Sequence, residues 1–335
     1  MKKTIFIALM LTLVLSACGR PNQNESSETT TTIRLAYLVS ESHSSHIIGE
    51  KFKEQIEEES GGRLEVELYP SGSLFPSDRE AVESVQLGNV EMTIPALAVV
   101  SSFNQNFMVL DLPFLFDNYE EAYKVLDGEY GQSLLDELED YNLKGLVYAE
   151  NGFRHITNNE RPIYEPEDLE GLKFRTLESP VQTDIFKAFG ANASPFAFGE
   201  MYTALQQGTY DAMEGPISLY YTSNLYEVQE YMSLVGQYYM PTVLLMNNDF
   251  YEGLPEDLQE VVMDAAIMFR EEQRELAHQQ DEEYLEVMKE DGLKVNDITE
   301  EQREAFIEAA EPVYEKYDEK LGNNLIDDLF EAKDE

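Results

Sequence analysis

Residues 255–289, PEDLQEVVMDAAIMFREEQRELAHQQDEEYLEVMK, indicate how the whole chain is organised. A proline followed by two acidic residues is typical of a helix start. Apolar residues then recur at helical spacing as far as Met288, and the next break is Gly292. A helix of about 35 residues measures about 53 Å, more than one small domain is wide. We expect it to pack on two lobes, with its polar centre, residues 271–275, crossing solvent between them. A coiled coil is disfavoured because the apolar heptads are not sustained.

Strands and helices alternate before this helix. A strand-like segment at 33–39 is followed by a helical pattern from about Ser45, which the glycines at 61–62 end, and by a second strand-like segment, Leu64–Tyr69. This order is typical of a βαβ unit, so we predict an α/β fold with a largely parallel sheet. Alternation resumes after the turn at 151–152. The other predicted helices lie near 78–87, 119–141, 180–189 and 200–207, and the other strands near 90–94, 144–149, 172–176, 211–213 and 244–247.

The first eighteen residues are typical of an export signal. The chain begins MKK, continues with an apolar run over residues 5–15 and then reads LSAC at 15–18. The run is shorter than the about 20 apolar residues of a membrane-spanning helix. Cys18 after Leu-Ser-Ala resembles the lipobox of bacterial lipoproteins, which implies removal of residues 1–17 and a lipid on Cys18. An ordinary signal peptide with a chance cysteine is the alternative. Residues 18–32 then form a flexible tether.

Composition excludes several functions. The chain has 66 acidic and 23 basic residues and a net charge of −43, which argues against nucleic-acid binding and against adsorption to anionic lipid. Its single cysteine excludes an internal disulfide and a cysteine-rich metal site. Nucleophile-elbow, zinc-protease, phosphate-loop and dinucleotide motifs are absent, and the four histidines lack metal-ligand spacing. We predict a protein that is not an enzyme and holds neither a cofactor nor a metal.

Two arginines follow the ends of predicted strands at the boundary between the two series of elements. Arg154 comes after the turn at 151–152, and Arg175 ends the strand near 172–176. Strand ends at such a boundary are where α/β proteins bind ligands, and a guanidinium matches a carboxylate in shape and charge. Surface ion pairs with the abundant acidic residues are the alternative. Spacing supports both interpretations equally.

Three segments extend this interpretation: GLKFRTLESPV at 171–181, FKAFGAN at 186–192 and FAFGEMYTALQQGTYDAME at 196–214. They resemble the solute-binding subunits of tripartite ATP-independent periplasmic (TRAP) transporters of the dicarboxylate-binding DctP type, and the similarity extends over most of residues 33–320. The resemblance implies a two-lobed periplasmic-binding-protein-like fold, with a ligand cleft and the long helix spanning both lobes. Lobe I would contain 33–152 and about 242–280, and lobe II 153–241 and about 281–330.

The resemblance also implies a ligand, a small organic acid. Arg175 corresponds to the arginine that clamps the ligand carboxylate, Arg154 to a second basic residue and Phe198 to an aromatic that packs over the ligand. Many relatives carry an asparagine where this chain has Gly215, which follows Glu214, and glycine would leave room for a bulkier or more apolar acid. Further ligand-binding residues would be Glu214, His43, Ala96 through its backbone, and Tyr238, for which a core position is equally supported.

The implied partners are the TRAP membrane subunits, which use an ion gradient instead of ATP. The implied location is the outer face of the cytoplasmic membrane, where the lipid on Cys18 would hold the chain. Two other functions stay open: a binding lipoprotein of an ATP-driven importer or a sensor kinase, and an extracytoplasmic enzyme on an α/β scaffold.

Overall fold

The computed structural model describes residues 30–322 and 324–334, so the predicted signal peptide, Cys18 and most of the tether lie outside the described residues. The strands are β1 Thr31–Ala36, β2 Leu64–Tyr69, β3 Met92–Thr93, β4 Leu143–Phe153, β5 His155–Asn158, β6 Lys173–Thr176, β7 Asn192–Pro195, β8 Ala212–Gly215, β9 Tyr231–Leu234, β10 Tyr239–Asn247 and β11 Lys294–Asp297. The helices are α1 Ser44–Glu59, α2 Asp78–Gln86, α3 Leu97–Val100, α4 Tyr119–Asp127, α5 Glu129–Asp136, α6 Pro180–Ala188, α7 Met201–Gln206, α8 Ile217–Thr222, α9 Asn248–Gly253, α10 Glu256–Glu290, α11 Glu300–Leu321 and α12 Leu325–Asp334.

Two sheets organise the molecule, which confirms the predicted α/β, two-lobed architecture. Lobe 1 is built on a five-stranded sheet of order β2-β1-β3-β10-β4, and lobe 2 on a six-stranded sheet of order β11-β9-β5-β8-β6-β7. The prediction of a largely parallel sheet is wrong, because both sheets are mixed: β10 runs antiparallel to β3 and β4, and β5 runs antiparallel to β8 and β9. The cause is the connection between the lobes. The chain leaves lobe 1 along β4 and returns along β10, so these neighbours run in opposite directions.

The long helix is confirmed as α10, which contacts elements of both lobes. Its first half packs on lobe 1, where the ring of Phe269 meets that of Phe52 edge to face at 6.1 Å between centroids. Near its end, Met288 belongs to the apolar cluster of lobe 2. The helix thus ties the two lobes together on one side of the molecule.

The centre of α10 does not cross solvent, and that prediction is wrong. Gln273 and Arg274 are buried there. The Gln273 amide donates to the carbonyl of Glu150 on β4 at 3.0 Å and accepts from its N–H at 2.7 Å. Arg274 donates to Asp127 at 2.6 Å and to the carbonyl of Tyr148 at 3.0 Å. Gln273 and Arg274 therefore bond to β4, while Glu271 and Glu275 on the other side of the helix face water.

The helix predicted over 119–141 is interrupted. Gly128 adopts an extended conformation (ψ −175°) between α4 and α5, and a 3₁₀ segment, Glu137–Tyr141, follows α5. A Cβ at Gly128 would lie 2.8 Å from the carbonyl oxygen of Lys124, so the chain cannot carry a side chain at this break without moving. Apolar periodicity does not reveal such a break, because the apolar face continues on both sides of it.

The C-terminal helices lie against both lobes. Helix α11 contacts α6, and α12 contacts α4 and α5. The exact residue boundaries given to the two lobes from the sequence stay a prediction. None of the helices in the described part of the chain has both the length and the apolar character that a membrane span requires.

Candidate ligand-binding site

A cavity lies between the two lobes and encloses about 540 Å³, including the part open to solvent. Both lobes contribute to its wall. The polar lining residues are His43, Ser45, Asp78, Asn151, Arg154, Arg175 and Thr242, and the apolar ones are Leu38, Val39, Ile94, Ala96, Leu177, Phe198 and Leu219. A mostly apolar pocket with a few polar groups aimed into it is the usual form of a small-molecule site.

Arg175 on β6 is a buried cation at the lobe 2 wall of this cavity. Its side chain donates from Nε to the carbonyl oxygen of Phe196 at 2.8 Å, and its guanidinium lies 6.0 Å from the ring centre of Phe198. Among the residues that the structure describes, no carboxylate oxygen lies within 4.0 Å of it. Burial lowers the pKa of Arg175 from its ordinary value. A guanidinium nevertheless stays protonated, so this wall carries a positive charge that no carboxylate of the described residues contacts directly.

Arg154, between β4 and β5, also lines the cavity but has a carboxylate partner. Its Nε donates to Oε2 of Glu214, and its Nη2 lies 3.2 Å from both Oε1 and the carbonyl oxygen of that residue. Both side chains are buried. Burial acts to lower the pKa of Arg154, but the charge and hydrogen bond of Glu214, together with Tyr238 and Tyr220, outweigh it, so the pKa is raised. Within the described residues, Nη1 has no hydrogen-bond partner. Neither arginine is in a surface ion pair.

Asp78 is the acceptor that the sequence analysis missed. It is the first residue of α2, and its carboxylate accepts from the backbone N–H of Ala96 at 3.4 Å. Burial raises the pKa of Asp78 to about 7, while the Ala96 N–H and the charge of Arg175 act in the opposite direction. An acidic residue after Ser77 is typical of an ordinary helix start, so the sequence carried no signal that this carboxylate faces a cavity.

His43 contributes a hydrogen-bond donor, and its contact with Ser45 determines which ring nitrogen carries the proton. Its Nδ1 accepts from the backbone N–H of Ser45 at 3.1 Å, which caps α1. Burial lowers the pKa of His43 to about 4, so the ring is neutral near pH 7. Because Nδ1 accepts, the single proton of the neutral ring is on Nε2. That buried Nε2 has no partner among the residues described and is available to a ligand.

Two further polar positions complete the lobe 1 wall. Thr242 on β10 pairs with Ala96 in an isolated antiparallel bridge, and both residues line the cavity. The hydroxyl of Thr242 is buried without a hydrogen-bond partner in the described part of the chain. It can donate to a ligand or accept from one.

Five of the eight predicted ligand-binding residues line the cavity, namely His43, Ala96, Arg154, Arg175 and Phe198. The other three lie behind this wall. Glu214 acts through its ion pair with Arg154. Tyr238 is buried, its carbonyl accepts from the N–H of Arg154 at 3.0 Å, and burial together with the charge of Glu214 raises its pKa. Gly215 is not among the lining residues, and a Cβ there would be in ordinary contact with the ring of Tyr220 at 3.4 Å, so the space that the glycine leaves for a ligand stays a prediction.

Within the described residues, no three His, Cys, Asp or Glu side chains are arranged to hold a metal ion. The cavity therefore offers hydrogen bonds and charge. From lobe 2 it is faced by the guanidinium of Arg175, which contacts no carboxylate of the described residues, and from lobe 1 by donors and acceptors. This is the arrangement of a two-lobed protein that binds a small polar solute between its lobes.

Comparison with known proteins gives the family. The model of the DctP family, bacterial extracellular solute-binding protein family 7, matches residues 35–320. The chain belongs to this family of extracytoplasmic solute-binding proteins, which confirms the resemblance found in the sequence. It is 33% identical over 335 residues to the 2,3-diketo-L-gulonate-binding periplasmic protein YiaO of Escherichia coli K12, covering 97% of this chain and 98% of that one.

Two solved structures have the same architecture. The sugar acid binding protein DctPAm of Advenella mimigardefordensis, in complex with galactonate, superposes with a TM-score of 0.89 at 35% identity, covering 91% of this chain and 98% of that one. A TRAP periplasmic solute-binding protein of Sulfurospirillum deleyianum with bound succinate gives a TM-score of 0.85 at 33% identity, covering 90% and 98%.

Proposed function

We propose that the protein captures a monocarboxylate that carries several hydroxyl groups, an aldonic acid, and delivers it to the membrane subunits of a TRAP transporter. The observation that carries this proposal is the buried guanidinium of Arg175, which has no carboxylate partner among the described residues and faces the cavity. A charged donor buried without a counterion is costly, and a ligand carboxylate removes that cost.

The charges of the site favour one carboxylate over two. Glu214 neutralises Arg154, so Arg175 supplies the net positive charge for the ligand. Asp78 on the opposite lobe is an acceptor, and once ionised it would repel a second ligand carboxylate. Interactions between charges at short range in a buried site are weakly screened, so these local charges outweigh the net charge of −43.

The remaining polar groups suit hydroxyls. The Asp78 carboxylate can accept from a hydroxyl, Nε2 of His43 can donate to one, and the Thr242 hydroxyl can do either. A site with buried polar groups discriminates strongly against ligands that leave those groups unpaired. Two relatives, YiaO and DctPAm, are described as binding sugar acids, whereas the Sulfurospirillum protein contains the dicarboxylate succinate. The acceptor at Asp78 supports a hydroxylated monocarboxylate as the ligand of this chain.

Calorimetry with three ligands tests the proposal. D-Galactonate carries one carboxylate and several hydroxyls, hexanoate has a chain of the same length without hydroxyls, and succinate has two carboxylates. We expect D-galactonate to bind most tightly of the three. Asp78→Asn should weaken D-galactonate binding and strengthen succinate binding, because the repulsion is removed while the shape is kept. Preference for succinate by the parent protein would contradict the proposed ligand class.

Arg175→Ala tests the carboxylate clamp. Removing one partner of a buried charged contact costs about 2–5 kcal/mol, so D-galactonate binding should weaken at least about thirtyfold. Arg175→Lys should also bind poorly because it lacks the planar fork. Arg303→Ala, which removes a surface ion pair with Asp117, is the matched control and should bind as the parent does. Unchanged affinity in Arg175→Ala would show that the clamp is assigned to the wrong residue.

The proposal includes an exported, lipid-anchored form, for which the LSAC segment at 15–18 is the support. Mass spectrometry of the chain expressed in a bacterial host should show a lipid-modified N-terminal Cys18, and Cys18→Ala should be recovered without lipid. An unmodified cysteine in the mature chain would favour the ordinary signal peptide. The protein should return bound ligand chemically unchanged, whereas formation of a product would favour the enzyme alternative.

A further inference from the structure

The two lobes touch directly at one edge of the cavity. Residues 76–78, which lead into α2 of lobe 1, lie against residues 196–199 of lobe 2, and Asp78 and Phe198 from these segments line the same cavity. Gly199 is at the centre of this contact. A Cβ on Gly199 would lie 2.5 Å from the carbonyl oxygen of Pro76. Non-bonded heavy atoms prefer separations of about 3.5–4.0 Å, so the two segments can approach this closely because residue 199 has no side chain.

Gly199 differs from the other crowded glycines of the described chain. A Cβ at Gly128, Gly131 or Gly145 would also come within 3.0 Å of another atom, but those atoms belong to lobe 1, as the glycines themselves do. At Gly199 the obstacle belongs to the opposite lobe. Its φ also lies outside the left-handed region, so its backbone conformation is open to any residue and space is the sole obstacle.

We propose that Gly199 is a positioning residue that sets how completely the two lobes close over the ligand. This inference rests on the proposed function. With the lobes as close as they are in this structure, a side chain at 199 would collide with the Pro76 carbonyl, whereas in a form with the lobes further apart the same side chain would meet no obstacle. A substitution therefore disfavours the closed form selectively, and a ligand that binds the closed form loses affinity by the same factor.

Other contacts between the lobes at the rim are weaker determinants of closure. Nε of Arg79 lies 3.3 Å from Glu178 in a partly exposed ion pair, and the Ser40 hydroxyl donates to the carbonyl of Thr222 at 3.1 Å. Exposed ion pairs change an equilibrium constant by about fivefold or less. By contrast, the overlap between a Cβ at position 199 and the Pro76 carbonyl cannot be relieved by a rotamer change, because the obstructing atom is a main-chain oxygen. Arg79→Ala should therefore affect binding less than Gly199→Ala.

Gly199→Ala and Gly199→Val form a graded test, with Gly253→Ala as the matched control. A Cβ at Gly253 would meet nothing within 4 Å, and this glycine lies at the end of α9, outside the cavity lining. With D-galactonate in stopped-flow and calorimetric measurements, we expect Gly199→Ala to dissociate at least about tenfold faster and Gly199→Val faster still. Association rates should stay within about twofold. The melting temperature of the ligand-free variants should match that of Gly253→Ala, which shows that they fold.

Parent-like affinity and dissociation rates in both Gly199 variants would overturn the proposal, as would a loss of ligand-free stability equal to the loss of binding. Failure of the parent protein to bind D-galactonate would instead count against the proposed ligand. Failure of the closure role and failure of the proposed ligand can be distinguished by interlobe distances. We would measure them between spin labels at the exposed positions 80 and 187, in a Cys18→Ser background. We expect Gly199→Val to shift the distances to larger values with and without ligand, and identical distributions for variant and parent would overturn the closure role.

Discussion

The surroundings of Arg154 and of Arg175 differ in one respect that defines the site. Arg154 follows the end of β4 and Arg175 lies near the end of β6, both are buried, and both line the same cavity. Arg154 is held by Glu214 through a pair of side-chain contacts, whereas Arg175 is held by a backbone carbonyl at 2.8 Å and contacts no carboxylate of the described residues directly. Burial of a cation therefore does not by itself mark a ligand site. What marks it is burial without a counterion, because only that charge is left for the ligand.

The largest effect expected from this comparison is on folding stability. Glu214→Gln leaves Arg154 as a buried charge without a carboxylate, and breaking such a pair costs about 3–5 kcal/mol. Arg175→Ala removes a charge that has no counterion in the described chain, so its ligand-free stability should equal or exceed that of the parent. Urea unfolding measures the change in stability of each of the two variants. A similar loss of stability in both would mean that the two arginines are equivalent after all.

A smaller effect concerns the pH dependence of folding stability, and it arises in the surroundings of Arg154. Asp111 on the Arg154 side accepts from Ser179 at 2.7 Å and from Gln182 at 3.1 Å. Burial raises the pKa of Asp111 to about 7, although these hydrogen bonds act in the opposite direction. The folded state thus favours the protonated form. The stabilisation that results from this raised pKa is complete below the unfolded pKa near 4, and it is lost as the pH rises through about 7.

Asp111→Asn should therefore reduce the fall in unfolding free energy between pH 5 and pH 8 by about 2–3 kcal/mol relative to the parent. The amide fits because the Oε1 of Gln182 has no partner among the described residues and can accept after a flip of its amide. Asp117→Asn, at a surface ion pair, is the control and should keep the parental pH dependence. Equal slopes for Asp111→Asn and the parent would mean that Asp111 is ionised in the folded protein throughout this range.

The smallest effect tests the lobe 1 wall opposite Arg175. Asparagine is as good a helix cap as any residue, so His43→Asn should keep the cap of α1 and lose the Nε2 donor. One hydrogen bond contributes about 0.5–1.5 kcal/mol, so D-galactonate affinity should fall about three- to tenfold with little change in stability. His43→Ala should lose both the donor and the cap, at a cost in stability of about 1 kcal/mol. Equal affinity of His43→Asn and the parent would remove His43 from the site.

Much of the site could be predicted from the sequence, but its polar partners could not. Arg154 and Arg175 were found because strand ends and turns are local patterns. Asp78 was missed because its position after Ser77 has an ordinary explanation as a helix start. Gly215 lies next to the ring of Tyr220 on α8 and outside the cavity lining, although it neighbours Glu214 in the sequence. In each case the missing information was a contact between segments that local patterns do not relate.

By itself the sequence determined the alternation of strands and helices and the length of α10, because hydrophobic period and capping act over one or two turns. The tertiary structure alone decided which arginine is left for a ligand. Antiparallel pairing of β5 with β8 sets Ile156 opposite Glu214 and so brings that carboxylate to Arg154, 60 residues away in the chain. Arg175 lies one strand further along the sheet and receives no such partner from the described residues. Strand register, which depends on the packing of the whole lobe, therefore determines which arginine receives a carboxylate partner.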